Sequence, residues 1–282
     1  MRILMLSADQ RILEAGSEAR RRMIDYGSLA EELHIIVKNQ KPKIKNQKFG
    51  NIQVYPTNTW LKPLYFFDFY RIGRKIIHNS KFAIHDSVIT AQDPFEIGLA
   101  GYLLKKKFGL SLQIQIHTDF LSPYFWRESF KNKIRVLLAK LLITKANSIR
   151  VVSERIKKSL VISYKSLVNK IAVLPIFVDI QKIRQMPSVA EFRQRYAGYE
   201  KIVLMVSRLT REKNIALALR AFKLVVKERP RALLLIVGSG PEKENIELRI
   251  GNYGLEKNVI IEPWTDNLVP YYKAADIYLL TS

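Results

Sequence analysis

Short apolar runs without polar alternation recur through the second half of the chain: IVLMVS (202–207), ALLLIVG (232–238), NVIIE (258–262) and DIYLLTS (276–282). Such runs predict strands buried on both faces of a parallel sheet. Between them, 215–228, 243–253 and 267–275 have helical periodicity or composition. Strand and helix alternating at this spacing predict right-handed βαβ units in a doubly wound α/β sheet. The first half has the same rhythm, with strands over 2–7, 34–37, 52–55, 87–91, 111–117, 148–152 and 171–174. Its helices fall at 17–32, 64–78, 94–107, 131–146 and 154–163. The segment 181–200 is polar, contains Pro187 and Gly198, and begins no strand. A domain boundary is expected there, giving domains of 1–185 and 186–282, each long enough for its own core. Because DIYLLTS is followed by no helix, the second domain is expected to be incomplete.

Composition narrows the class. A hydrophobic content of 48% and a charged content of 26% are those of a globular protein. The absence of cysteine removes disulfides, thiolate nucleophiles and cysteine metal sites, and fits a cytoplasmic setting. The first apolar run is too short for a secretory signal, and VLLAKLLI (136–143) is interrupted by Lys140. A membrane, if met, is expected to be met from its surface.

The net charge of +22 changes the picture more. Residues 1–180 carry +16 and the remainder +6, with +11 concentrated in 101–180. An anionic partner is expected: nucleic acid, anionic lipid or a phosphorylated substrate. Lys131, Lys133, Arg135 and Lys140 lead that basic stretch.

Ligands of doubly wound sheets bind outside the carboxyl ends of the strands. At that edge SRLTREKN (207–214) offers Arg208, Arg211 and Lys213 to phosphate oxygens. The next strand ends in GSGPEKE (238–244), where Gly238 and Gly240 permit close backbone approach and a following helix N-terminus favours anions. The two loops together make a candidate diphosphate site. Four scattered histidines, at 34, 78, 85 and 117, form no metal motif, and no Asp-x-Asp pair occurs; no metal or cofactor is expected. Of two aromatic-rich stretches, 60–71 is expected to pack internally. The other, 122–133, reads as a loop, with surface and interior roles both open.

VSRLTREKNIALALRAF, LLIVGSGPEKE and YYKAADIYLLTS resemble three successive signatures of the family 4 (group 1) retaining glycosyltransferases, in order and at matching separations. IRVVSERIKKSL (149–160) with KIAVLPIFVD (170–179) is similar to that family's closing segment of the first domain, with Ile176-Phe177 in place of the usual Asn-Gly. Glu14-Ala15-Gly16-Ser17 resembles its N-terminal glycine loop, with one of two usual glycines absent, and IQIHTD (114–119) resembles its histidine strand. The resemblance implies a GT-B fold, two Rossmann-like doubly wound parallel-sheet domains facing a cleft. It implies transfer of a sugar from a nucleoside-diphosphate sugar to an acceptor hydroxyl, with retention and without metal. It places Gly16, Arg208 and Lys213 on the donor diphosphate and His117 on the donor sugar, with Asp119 a candidate to orient His117. The family's paired glutamates, eight positions apart, would follow DIYLLTS. They are absent here, so these 282 residues are expected to be inactive alone. Trp264 stands where many members have a glycine beneath the nucleobase; it is a nucleobase candidate, with capping of the core the preferred role. A lipid-linked acceptor at the inner face of a membrane fits the basic first domain.

Two rivals follow from the same residues. A sugar-nucleotide epimerase on this fold needs acid–base groups that the cleft residues supply poorly. A nucleic-acid-binding protein accounts for the charge but not for the signatures at two strand ends, and the chain shows no RNP, helix-turn-helix or zinc pattern.

Overall fold

The computed structural model describes residues 1–40, 44–58, 65–80, 82–178, 180–186 and 190–281. Trp60 to Leu64 of the first aromatic stretch, Pro187 of the expected linker and the final Ser282 lie outside the described residues. The chain divides into two compact units, Met1–Phe177 and Val178–Ser282. The division falls before the polar segment, at 177/178 where the sequence suggested 185/186. The segment begins with two short helices whose residues pack with the second unit, as Phe192 does against Tyr196 and Tyr271.

The first unit runs β1 (Arg2–Ser7), α1 (Glu18–Gly27), β2 (Glu32–Val37), β3 (Gln47–Phe49), β4 (Ile52–Pro56), α2 (Tyr65–Asn79), β5 (Ser87–Ala91), α3 (Glu96–Phe108), β6 (Ser111–Ile116), α4 (Pro123–Glu128), α5 (Phe130–Lys145), β7 (Ser148–Val151), α6 (Glu154–Ser163) and β8 (Ile171–Val173). Its sheet has the order β3-β4-β2-β1-β5-β6-β7-β8, parallel except for β3. Strand order reverses at β1, so the switch point lies between the carboxyl ends of β1 and β5. One core cluster joins the sheet to α2, α3, α5 and α6, and a second joins its other side to α1. The buried stripe of α2 (Tyr65, Phe69, Ile76, Ile77) bears out internal packing for the described part of that aromatic stretch, although Phe67 is exposed.

Two elements depart from the sequence expectation. The antiparallel strand β3 is three residues long and leaves too little alternation to read. Residues 122–133 are not a loop: Ser122 caps α4 and Ser129 caps α5, each hydroxyl accepting from a backbone N–H inside the helix it opens. Serine before a polar-aromatic run is a start signal that the aromatic content obscured.

The second unit runs α7 (Ile180–Gln185), α8 (Ala190–Gln194), β9 (Lys201–Val206), α9 (Ile215–Glu228), β10 (Ala232–Val237), α10 (Lys243–Tyr253), β11 (Val259–Glu262), α11 (Val269–Ala274) and β12 (Ile277–Tyr278). Its parallel sheet has the order β11-β10-β9-β12. Successive residues of β10 feed opposite cores, Leu234 and Ile236 with α9 and α10, Leu233 and Leu235 with Tyr196 and Tyr271. This explains the unbroken apolar runs. The edge strand β12 is anchored from below: Asp276 accepts from the Ile202 N–H at 2.7 Å and from Lys201 at 3.1 Å, contacts that hold its carboxyl below the usual range. Ile277 and Tyr278 are themselves exposed.

Glu262, at the end of β11, gathers the far side of this unit. It accepts from Tyr196 Oη at 2.5 Å, from Tyr271 Oη and from Arg195 at 3.0 Å. Burial, then this hydrogen bond, raises the Tyr196 pKa. Glu262→Ala strands two buried tyrosine hydroxyls and should cost roughly 2–4 kcal/mol, with Glu262→Gln recovering about half. Urea denaturation of the three proteins measures this; equal midpoints would remove Glu262 from the framework.

Candidate functional site

In the second unit, strand order reverses at β9, so the switch point lies between the carboxyl ends of β9 and β12. The chain leaves β9 through Ser207 and Arg208, then forms a 3-10 turn over Arg211–Lys213. Asn214, in the left-handed region at φ 46°, turns it into α9. No side chain caps α9, so its first N–H groups face this edge, where an anion is favoured. The Lys213 carbonyl accepts from Thr281 Oγ1 at 2.7 Å, tying the turn to the residues after β12. Arg208, Lys213 and the α9 N-terminus therefore share one edge, as the sequence suggested. Arg208 is mostly exposed and pairs with Glu212; Arg211 pairs with Glu242 at 3.3 Å. Lys213 makes no ion pair among the described residues.

Gly238 and Gly240 do something the sequence reading missed. A Cβ on Gly238 would stand 1.9 Å from the Ser207 carbonyl oxygen, and one on Gly240 2.4 Å from that of Leu209. Their missing side chains admit the neighbouring loop. Leu209 donates to the Ser239 carbonyl at 3.0 Å, and Glu242 N–H returns a bond to Leu209 at 3.0 Å. Trp264 is corrected as well: at 49% exposure it does not cap the core. Its backbone N–H meets Ser239 Oγ at 3.3 Å, which ties the residue, just beyond β11, to the loop after β10.

In the first unit, Gly16 follows β1 and a short 3-10 turn at φ +80°, and a Cβ there would meet no atom within 4 Å. Ser17 then caps α1 through the Arg20 N–H at 3.1 Å. His117 follows β6, and its Nε2 lies 3.3 Å from Gln115 Oε1, an oxygen that also accepts from Arg150 at 3.1 Å. A carbonyl acceptor places the imidazole proton on Nε2 and leaves Nδ1 as acceptor. Partial desolvation, then the Arg150 charge, lowers the His117 pKa, so the ring is neutral at physiological pH. Asp119 does not orient it; its carboxylate accepts from Ser159 at 3.0 Å. The orienting group is Gln115, itself tied to Thr90 at 2.9 Å. The signal was the Gln-x-Gln-x-His alternation, which puts Gln113, Gln115 and His117 on one side of β6.

A further polar group gathers at the same carboxyl edge. Ser7 at the end of β1 donates to Gln92 after β5 at 2.7 Å, across the switch point. Asp93 accepts from the Phe95 N–H at 2.7 Å; Glu96 holds Arg135 at 3.1 Å and Lys131 at 3.9 Å. Lys38, half-buried over the Tyr65 ring at 4.1 Å, has its pKa lowered by burial and by Lys131. Arg135 thus turns inward and leaves the basic surface expected of it. Gln92-Asp93 immediately after a strand was the available signal.

Residues 190–282 match the family Glycosyl transferases group 1. The second unit of this protein is a group 1 glycosyltransferase domain. Over 206 residues the chain is 27% identical to the uncharacterized glycosyltransferase MJ1059 of Methanocaldococcus jannaschii, covering 70% of this chain and 50% of that protein. It is 27% identical over 210 residues to the alpha-monoglucosyldiacylglycerol synthase of Streptococcus pneumoniae, covering 69% and 46%. The chain thus spans about half the length of these relatives. The solved structure of Anabaena Alr3699/HepE in complex with UDP and glucose aligns over 100% of this chain and 74% of that one, with a TM-score of 0.71 at 16% identity. The likeness shows the GT-B fold.

Burial raises the Asp93 pKa to about 6, against the stabilising Phe95 N–H. The folded state therefore holds this proton more tightly than the unfolded chain, whose carboxyl titrates near 3.9. Stability from this group is present below pH ~4 and is lost as pH rises through 6, a change of about 3 kcal/mol. Carboxyl carbon NMR should show one aspartate titrating near pH 6 that disappears in Asp93→Asn; a midpoint below about 4.5, in the ordinary carboxylate range, would contradict the burial.

Proposed function

We propose that the protein acts in sugar transfer from a nucleoside-diphosphate sugar to an acceptor hydroxyl, with retention and without a metal. The observation that carries the reading is the basic 3-10 turn beside an uncapped helix N-terminus at the sheet's switch point. In this reading Arg208, Lys213 and the first N–H groups of α9 bind the donor diphosphate and stabilise the charge that builds on it as the glycosidic bond breaks. One well-placed donor of this kind can lower a barrier by roughly 3–4 kcal/mol. Gly16 lets backbone approach the phosphates, and the neutral His117 accepts a hydrogen bond from a sugar hydroxyl. Trp264, exposed beyond β11, offers its indole face to the nucleobase. Gly238 and Gly240 act indirectly, by holding the β9 loop in place. The bound UDP and glucose of HepE support this choice of donor class.

UDP is the first probe. Arg208→Ala and Lys213→Ala should each weaken its binding by roughly 1.5–3 kcal/mol, as for hydrogen bonds to charged groups. EDTA should leave UDP affinity unchanged, and in a chain completed at its second domain it should leave transfer unchanged. Calorimetry giving wild-type affinity in both variants would remove the site from this edge; tight binding of duplex DNA in place of UDP would favour the nucleic-acid reading.

We further propose a lipid-linked acceptor reached at an anionic membrane surface. Among the described residues no helix is long and apolar enough to cross a membrane. On α5, however, Phe130, Ile134, Leu137 and Leu141 are all more than half exposed and follow one face at i, i+4, i+7 and i+11. Lys133 and Lys140 flank this stripe, the arrangement of a helix lying in a lipid interface. The diacylglycerol in the name of the Streptococcus relative agrees with such an acceptor. Binding to phosphatidylglycerol vesicles should be reversible and weaken with salt. Phe130→Ser and Leu137→Ser should each reduce partitioning by roughly 1.5–3 kcal/mol. Equal cosedimentation with neutral and anionic vesicles would argue against a charged membrane partner.

A further inference from the structure

A block of positive charge outside the features used above lies on α2. Arg71, Arg74, Lys75 and His78 are all exposed and stand at i, i+3, i+4 and i+7, so they share one face of the helix. Together with Lys107 and Phe108 at the end of α3 they line a groove of about 350 Å³. Both helices run antiparallel to the strands, so the groove opens at the amino edge of the sheet, away from His117 and Asp93.

Basic residues at helix C-termini often serve only to offset the dipole. That accounts for His78 and Lys107, one residue from their helix ends. It does not account for Arg71 and Arg74, one to two turns back, where the dipole effect has faded. Like charges at i, i+3 and i+4 also repel one another and destabilise a helix. Against them α2 sets one acid, Asp68, 3.3 Å from Arg71. Among the described residues Arg74, Lys75 and Lys107 form no ion pair. The helix thus maintains a repulsive stripe around a concavity, a combination that an anion would relieve.

We propose that this groove is a second anion site, which takes a phosphate group on a small molecule or on a lipid headgroup. Arg71 and Arg74 supply planar forks for phosphate oxygens, and Lys75 and Lys107 add mobile charge. The Phe108 ring gives one apolar wall, suited to the glycerol or hydrocarbon portion next to a phosphate. The volume is at the small end of ligand sites and matches a single headgroup. It is too confined for a duplex, whose affinity comes from many phosphates spread along a surface.

The test uses the whole chain in an Arg208→Ala/Lys213→Ala background, so that the donor edge cannot contribute and failure of the transferase reading leaves the result interpretable. sn-Glycerol 3-phosphate is titrated by calorimetry, and phosphatidylglycerol vesicles by cosedimentation with Phe130→Ser/Leu137→Ser added, so that the α5 stripe cannot contribute. Arg71→Gln/Arg74→Gln/Lys75→Gln should lose at least tenfold in affinity for whichever probe binds. The charge-matched control Arg220→Gln/Lys227→Gln/Arg229→Gln, exposed on the second unit, should stay within twofold. Circular dichroism checks that α2 remains folded in the triple variant, and Lys107→Gln, on a different helix, should give a smaller loss in the same direction. Binding of the soluble phosphate alone identifies a free phosphorylated ligand, and binding of vesicles alone identifies a headgroup. Equal losses in the triple variant and its control would reduce the groove to bulk charge and overturn the proposal. So would no binding of either probe, or a preference for duplex DNA.

Discussion

The candidate donor edge depends on two residues that have no side chain. Gly238 and Gly240 let the backbone after β10 lie directly against the backbone after β9, closer than any side chain would permit. Reciprocal backbone contacts then fix Ser207, Leu209 and Glu242 relative to one another. Arg208 lies inside this interlock and Lys213 immediately beyond it. A donor diphosphate needs cations held in place before it arrives, since ordering them on binding would consume affinity. Rigidity of the loop is achieved here by removing atoms.

Polar groups in the first unit are organised on the same plan, with strand ends contributing one or two side chains each. Gln115 is the centre of one network, linking Thr90, Arg150 and His117. Glu96 is the centre of another, drawing Arg135 away from solvent, with the exposed Lys131 nearby. The consequence is a division of the basic charge. Part of it is consumed in holding a half-buried carboxylate, and part is displayed on α2 and beside the α5 stripe. Net charge alone could not separate these uses.

Most strands of both sheets were legible because residues buried on two faces are mostly apolar, so each strand announces itself as an unbroken apolar run. Helix α5 was legible as a helix, whereas α4 was hidden by aromatics that read as loop or surface. The candidate donor cations were legible because strand-end position and charge coincide in one short segment. What failed were pairings between distant segments: Asp119 was set beside His117 by proximity in sequence, but a bend after the strand sends it to Ser159. Trp264 failed for a similar reason. Its hydrophobicity suggested the interior, while the end of β11 carries it past the last core layer.

The Arg208–Glu212 pair has a consequence for the proposed donor site. Within the protein itself the arginine already has a carboxylate partner four residues along. If the donor binds here as proposed, its phosphate replaces one anion by another, and Glu212 recovers its partner when the nucleotide leaves. The site carries its own placeholder. Exchange of this kind lowers the ceiling on affinity but also shortens the lifetime of the complex, because the departing phosphate never leaves a bare cation behind. Added salt screens the placeholder and the nucleotide together, so occupancy should respond to ionic strength less steeply than the number of nearby cations would suggest.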